Sequence, residues 1–304
     1  MRVAAIILNY RTPSLVVDCL ETLVPQIDPA LDEAIVVDNH SGDGSAEAIR
    51  AAITERGWSG VRLIESPRNG GFAAGNNVGI RAGRARAYLL LNSDTLLRPG
   101  ALETLWSALD TNPRAGLVSP RLEWPDGTPQ ISCFRYHTPV SELMKAAETG
   151  PIDHLLKPWT VAIPLEERAL EPDWTSFAAV MIRGEVIDTV GFLDEGYFMY
   201  YEDTDYCRRA RAAGWVVRHV PEARVVHLRG GTSPVKELTR QRRRRPRYYY
   251  ASRSRYFSQA YGRRGRVAAN TLWTLGRGIA FLREALRHKR PHTVEWELWD
   301  NWRG

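Results

Sequence analysis

Cysteine is scarce in this 304-residue chain: Cys19, Cys133 and Cys207 are odd in number, widely spaced and without a C-x-x-C pair. That excludes a disulfide framework and a zinc knuckle, and a reducing cytoplasm is the simplest home. Long apolar runs are missing too. No stretch approaches the roughly 18 apolar residues of a membrane span, and the opening MRVAAIILNYR turns polar too soon to form a signal-peptide core. There is no internal repeat, and the 24 Gly and 18 Pro are ordinary in number, so collagenous and low-complexity readings drop out. What is present is globular: 44% hydrophobic and 10% aromatic content supports a substantial core in one large domain or two smaller ones.

Charge is unevenly placed. The net balance is +6, yet residues 229–304 carry 19 Lys and Arg against 5 Asp and Glu, while residues 1–228 carry 22 against 30. An acidic body with a basic tail points to an anionic partner for the tail: a lipid surface, a polyphosphate carrier or nucleic acid.

The first 120 residues alternate short apolar runs with helix-period segments. VAAIIL (3–8) precedes Leu15, Val16, Cys19, Leu20 and Leu23 on one helical face; AIVVD (34–38) precedes Ala48, Ile49, Ala52 and Ile53. VRLIE (61–65) precedes FAAGNNVGI, and AYLLLNSD (87–94) precedes Leu102, Leu105, Trp106 and Leu109. Continuously apolar strands alternating with helices predict a mostly parallel sheet covered on both faces, an α/β layer fold. Ligands of such sheets sit beyond the carboxyl ends of the strands. Asp38 and Asp94 end the second and fourth strands and are expected at one crevice, beside the Gly- and Asn-rich loops DNHSGDGS and NGGFAAGNN.

From about Trp124 to Trp174 prolines are frequent, and a loop-rich acceptor surface or lid is expected. Beyond it, FAAVMI reads as a strand, GEVIDTV as a short helix, and Thr204–Ala213 as a helix with Tyr206, Ala210 and Ala213 on one face and Gly214 as its stop. Asp203 or Thr204 then lies at a helix amino terminus, where a cap oxygen and negative charge are favoured. In the tail, RQRRRRPRYYYASRSRYF interleaves arginine with tyrosine, and Leu272, Leu275, Ile279, Leu282 and Leu286 recur at amphipathic spacing.

These features converge. ILNY, VVDN with Asp38, NGGFAAGNN, LLNSD, YFMYYEDTDYCRRARAAGW and VVHLRGG together resemble glycosyltransferase family 2, the inverting enzymes of GT-A fold, and most closely the rhamnosyltransferase branch of surface-polysaccharide synthesis. The resemblance covers about residues 1–233. It implies a Rossmann-like GT-A domain over 1–233, with a donor half to about 120 and an acceptor half beyond, then a basic helical extension over 234–304. It also implies a dTDP- or UDP-sugar donor, dTDP-rhamnose first, a glycan or lipid-linked glycan acceptor, and a divalent cation, Mg2+ or Mn2+.

Sugar transfer needs a pocket for the base, neutralisation of the departing diphosphate, and a group that deprotonates the acceptor hydroxyl. By resemblance, Asp38 meets the pyrimidine, where the residues alone allow a loop cap; Asn9, Tyr10, Asn39, Gly71, Asn76 and Asn77 complete the donor side. Asn76 stands where many relatives have arginine. Asn92, Ser93 and Asp94 match the D-x-D metal motif with its first acid replaced by Asn92, leaving Asp94 as the ligand and weaker metal dependence expected. His227 matches a histidine that completes the metal or diphosphate site, where the residues alone allow a structural role.

Asp203 matches the catalytic base. Its neighbours Tyr197, Phe198, Tyr200 and Tyr201 raise a carboxylate's pKa and the helix terminus lowers it, a balance left open by sequence, as is a helix cap paired to Arg208 or Arg209. Glu202 and Asp205 are expected to support it. Arg229 and Ser233 are candidates for phosphate in a closing loop, Trp174 for stacking on a sugar, and Phe177-Ala178, where relatives read Gly-Ala, puts a ring near the sugars.

Two rivals stand beside this reading. A nucleotidyltransferase normally carries a Gly-rich basic loop after its first strand, which ILNYRTPS lacks. A nucleic-acid-binding protein explains the Arg–Tyr tail but not the acidic body. For the tail itself the alternatives are a helix packed on its own catalytic domain, docking on an anionic membrane leaflet, or a homodimer contact.

Overall fold

The structure is a computed structural model that describes residues 1–164, 170–229, 234–286 and 293–304. The expected alternation is present: β1 (Val3–Asn9), α1 (Pro13–Leu23), β2 (Glu33–Asp38), α2 (Ser45–Glu55), β3 (Val61–Glu65), α3 (Gly71–Arg81) and β4 (Ala87–Asn92). A short β5 (Thr95–Leu97), α4 (Ala101–Asp110) and β6 (Ala115–Glu123) follow. Next come β7 (Cys133–Phe134), α5 (Pro139–Ala147), α6 (Gly150–Leu155) and β8 (Trp174–Thr175). After them lie β9 (Ala179–Arg183), α7 (Gly184–Val190), α8 (Glu202–Ala212) and β10 (Val216–His227). The chain closes with α9 (Val235–Arg240), α10 (Arg247–Leu286) and α11 (Glu297–Arg303).

Eight strands form one sheet in the order β3-β2-β1-β4-β9-β6-β10-β5. β1 pairs in parallel with β2 and β4, β2 with β3, and β6 with β10; β9 runs against both β4 and β6, and β5 against β10. Six strands therefore share a direction. Asn9, Asp38, Asn92, Glu123 and His227 all end strands at one edge, and the start of antiparallel β9, just after Phe177-Ala178, lies at that edge too.

Burial explains the apolar strands. Val3, Ala5 and Ile7 of β1 join Val16, Cys19 and Leu20 of α1 in the main core, while Ala4 and Ile6 on the opposite face are also buried. That second face is covered by α3, and glycine permits it: a Cβ on Gly75 would meet Leu8 Cδ1 at 2.4 Å, and one on Gly79 would meet Ile6 Cγ2 at 2.6 Å. Part of the Gly-rich loop expected to approach a ligand is thus a helix pressed on a strand. The three cysteines are free and buried.

Packing divides the chain into two units. The first holds Met1–Cys133, Pro164–Phe198 and Glu202–Thr232; the second holds Phe134–Ile163, Met199–Tyr201 and Ser233–Gly304. Residues 134–163, read from sequence as a loop-rich part of the acceptor half, pack instead with the tail and are partly helical. α5 starts on a capping box: Thr138 Oγ1 accepts from Ser141 N at 3.0 Å, and Ser141 Oγ accepts from Thr138 N at 2.9 Å, with Pro139 in the first turn. Its partner is α10, a helix interrupted at Gly262, whose φ of 69° suits glycine.

The Arg–Tyr run at the start of α10 is not a solvated patch. Tyr250, Arg253, Tyr256 and Phe257 are buried. Arg253 Nε donates to Glu142 Oε2 at 2.8 Å, and its Nη1 donates to Asn270 Oδ1 at 2.6 Å. Tyr201 stacks on Tyr256 with centroids 5.4 Å apart. Of the tyrosines offered to nucleic-acid bases by the sequence, Tyr250 and Tyr256 are core residues, and Tyr248 and Tyr249 are half-buried.

Candidate active site

The opening turn of α8 concentrates Glu202, Asp203 and Asp205 where the helix dipole favours anions. The helix begins at Glu202, two residues before the sequence pattern indicated, so Asp203 sits inside the first turn. Asp205 is buried and takes both arginines: Arg208 Nη2 donates to Oδ1 at 3.1 Å and Arg209 Nε to Oδ2 at 2.8 Å. Arg209 also donates to the carbonyls of Val190 and Phe192, both at 3.1 Å, which fastens α8 to the turn after α7. The arginines that could have tied Asp203 into a surface ion pair are spent on Asp205.

Asp203 is half-buried and accepts from Thr204 N through Oδ1 at 2.8 Å. Burial pushes its carboxyl up to about 6, against the pull of the Thr204 and Phe177 amides. Desolvation therefore outweighs the helix terminus. Glu202 is buried and held well above the usual carboxylate range by burial first and then by the Asp203 charge. Its Oε2 has no hydrogen-bond partner among the described residues. The two neighbouring carboxyls influence each other, and Asp203, raised to about 6, is ionised at neutral pH and available there as a proton acceptor.

A hydrogen-bonded chain links the ends of β1, β2 and β4. Asn9 Nδ2 donates to Asp38 Oδ1 at 2.6 Å, Thr12 N donates to Asn9 Oδ1 at 3.2 Å, and Thr12 Oγ1 lies 3.0 Å from Ser93 Oγ. Asp38 also accepts from Ser41 Oγ at 2.6 Å and Ser41 N at 3.0 Å. Its carboxylate holds the following loop in shape while keeping acceptor capacity on Oδ2. Tyr10 is half-buried, and the Arg11 guanidinium lies over its ring at 5.2 Å.

Asp94 and His227 face each other, with His227 Nε2 3.5 Å from Asp94 Oδ1. Leu228 N donates to the Asp94 carbonyl at 2.9 Å, which pins the loop after β10 to the β4 end. Two ligand atoms this close can reach one ion with bonds of about 2.1 Å. Among the described residues no cluster of three His, Cys, Asp or Glu exists, so the pair fits an ion completed by water and substrate phosphate rather than an all-protein cage. His227 Nδ1 is buried without a partner among the described residues, so the ring lacks the second bond that usually orients a ligating histidine. Asn92 is half-buried at the strand end, its amide bonded to Ala178 O at 2.9 Å. That bond sets the metal-motif segment beside Phe177, whose amide acts on Asp203.

Sequence reasoning missed Thr12 and Gln130. Gln130 Nε2 donates to His227 O at 2.7 Å and to Glu123 O at 3.1 Å, and its Oε1 accepts from Arg229 Nε. Arg229 has a φ of 59°, lies 5.5 Å over the Trp124 ring, and feels the Asp94 charge, which partly offsets the cost of its burial. Only a polar residue inside a proline-rich stretch marked Gln130 in the sequence.

Around α3 the asparagines divide. Asn77 is fully buried, donating to Leu193 O at 2.9 Å and Glu195 Oε1 at 3.1 Å and accepting from Leu193 N at 3.1 Å. The structure ties its amide to the 193–195 turn instead of leaving it to a donor. Asn39 and Asn76 each keep a buried Oδ1 without a partner among the described residues. Gly71, with φ 83°, approaches Phe198 so closely that a Cβ would lie 2.0 Å from the carbonyl oxygen. Trp174 is buried, which is at odds with an open sugar-stacking face, and Phe177 is buried edge-on to Tyr206 at 6.1 Å instead of projecting toward the sugars. Ser233 lies outside the described residues.

Known proteins match this arrangement. A family model described as glycosyl transferase family 2 matches residues 4–147, and one described as glycosyl transferase family group 2 matches 172–289. N-acetylglucosaminyl-diphospho-decaprenol L-rhamnosyltransferase of Mycobacterium tuberculosis (strain ATCC 25618 / H37Rv) is 29% identical, covering 86% of this chain and 87% of its own. The dTDP-rhamnosyl transferase RfbF of Shigella flexneri is 26% identical over 70% of this chain and 66% of its own. In fold, the mannosyltransferase PcManGT of Pyrobaculum calidifontis, solved with GDP-Man and Mn2+, superposes with TM-score 0.60 at 15% identity over 96% of this chain and 77% of that one. GalNAc-T7 with UDP, GalNAc and Mn2+ gives 0.59 at 15% identity over 95% and 59%. Nucleotidyl transfer and nucleic-acid binding thereby give way, and the chain belongs to glycosyltransferase family 2, a sugar-transferring enzyme of α/β GT-A fold.

Proposed function

We propose that this enzyme transfers L-rhamnose from dTDP-rhamnose, with inversion, to a hydroxyl of a lipid-linked glycan in cell-surface polysaccharide synthesis. The observation that carries the transfer chemistry is Asp203: a half-buried carboxylate, raised to about 6 and relieved of both neighbouring arginines, at the carboxyl edge of the sheet. The names of the Mycobacterium and Shigella relatives support the sugar, the first also a diphospholipid acceptor and the second the dTDP donor.

In this reading Asp203 takes the acceptor hydroxyl proton as that oxygen bonds to the anomeric carbon. The bond from that carbon to the diphosphate breaks on the opposite face, and the electron pair leaves with dTDP. Burial disfavours a charge on Glu202, which opposes a second negative charge beside the developing nucleophile. Asp38 accepts from the pyrimidine N–H, held in place by Asn9 and Ser41, while Tyr10, Asn39, Gly71, Asn76, Asn92 and Ser93 line the donor side. Asn77 positions that wall through the 193–195 turn, and Asp205 plays the same part for α8. A divalent cation, Mn2+ or Mg2+, held by Asp94 and His227, would supply charge neutralisation for the diphosphate. Arg229 adds a fixed positive charge beside Asp94.

Two measurements test this. In a thermal-shift panel of dTDP, UDP, GDP and ADP with and without Mn2+ or Mg2+, dTDP is expected to stabilise most, and more with metal; a ligand at about 100 times its Kd adds roughly 2.7 kcal/mol. A flat response to every nucleotide overturns the donor site. The kcat profile is expected to be level above pH 7 and to fall about tenfold per pH unit below about 6, because only ionised Asp203 accepts a proton. A rate independent of pH between 5 and 7 would remove Asp203 as the base.

A further inference from the structure

The last two helices of the second unit wear their amphipathic faces inside out. On α10 the buried side holds Trp273, Gly276, Ala280 and Glu284. Gly276 allows the approach: a Cβ there would lie 2.5 Å from Leu143 O and 2.9 Å from Ala146 Cβ of α5. The leucines of the expected apolar stripe look outward, with Leu275, Leu282 and Leu286 exposed by 54%, 65% and 83%. Short α11 repeats the inversion. Its acids are buried and bonded, Glu297 to Arg245 and Asp300 to Arg244 at 2.6 Å, whereas Leu298, Trp299 and Trp302 are exposed. Trp302 Nε1 donates to Thr274 Oγ1 at 3.3 Å, which ties α11 to the turn of α10 that carries Leu275.

Ion pairs thus hold α11 in place by its polar side and leave an apolar face to solvent, an arrangement that costs solubility unless something covers it. We propose that this face docks on an anionic lipid surface, lying in the headgroup layer without crossing it. Charge selects that occupant. The segment 229–304 holds 19 basic residues against 5 acidic, so a second copy would bring like charge to like, whereas anionic lipid complements it. The exposed side chains are the interfacial kind: tryptophan prefers the headgroup level, and the Arg303 guanidinium stacks 4.0 Å over Trp299. Among the described residues no helix is long and apolar enough to span. The inference rests on the proposed lipid-linked acceptor only for its purpose, not for its geometry.

The test is sedimentation of the full chain with vesicles of phosphatidylcholine alone or mixed with phosphatidylglycerol. Wild type is expected to bind the anionic vesicles, less so as salt rises, and Leu282→Ser/Trp299→Ser to lose about tenfold or more in partitioning. Both positions are exposed, so the melting temperature and its rise with dTDP should be unchanged. No vesicle binding, equal binding to both compositions, or an unaffected double variant would overturn the proposal. So would a dimer, or an RNA complex, that the double variant dissolves without any lipid binding by wild type. Failure of the donor reading shows separately, as a flat nucleotide response in protein that still sediments with vesicles.

Discussion

Asp203→Asn is expected to lower kcat by about a thousandfold or more, at the upper part of the range for a lost general base, and at the same time to raise the melting temperature at pH 7.5. The two effects share a cause. In the fold the carboxyl rests near 6, above its ordinary 3.8, so the native state holds this proton more tightly than the unfolded chain does. The stability associated with that proton is fully present below about pH 4 and is lost as pH rises through about 6. An amide of the same shape keeps the Thr204 N–H bond and has no charge to desolvate. A purely structural acid would give the opposite pattern, a normal rate with a lower melting temperature. Measuring kcat, melting temperature and dTDP binding on one preparation separates the cases.

The second large effect concerns the other unit. Arg253 and Glu142 are 2% and 1% exposed and bond at 2.8 Å, so each is the other's hydrogen-bonded counter-charge, with Lys145 a further positive charge acting on Glu142. Arg253→Met strands the Glu142 carboxylate and is expected to cost about 3–5 kcal/mol, read as a lower denaturant midpoint. Adding Glu142→Leu removes the stranded charge and should restore most of the loss, because two apolar groups suit this site about as well as an ion pair. A double variant as unstable as the sum of the singles would show that the pair does not act as one. His137 also lies in this unit, and burial pushes its imidazole down to about 4, so it stays neutral through the physiological range and adds no competing charge.

Legibility in the sequence followed the range of the forces involved. β1, β2 and β4 were readable because both sheet faces are covered, so each strand is apolar along nearly its whole length. α7 and the Gly214 stop were readable because local backbone preferences set them. α5 was not: prolines and polar residues hid a helix whose start depends on Thr138 and Ser141, and whose buried face depends on α10 about a hundred residues away. Glu142–Arg253 spans 111 positions and leaves no local pattern. The leucine stripe of α10 was visible, but periodicity reports that a face is apolar and not what it meets. In the candidate site, strand-end acids and the ED pair were legible from pattern and family resemblance. The engagement of Arg208 and Arg209 by Asp205 rather than Asp203 is a matter of side-chain geometry that spacing along the helix does not fix.

The margins of the eight-stranded sheet carry a consequence for how the protein keeps to itself. β3 closes one side with five residues, among them Arg62, bonded to Glu33 at 2.7 Å, and Glu65, paired with Arg50. β5 closes the other side with three. A strand from another molecule that tried to extend the ladder would find paired charges along one rim and a stub at the other, so the sheet that builds the catalytic edge offers little to seed aggregation.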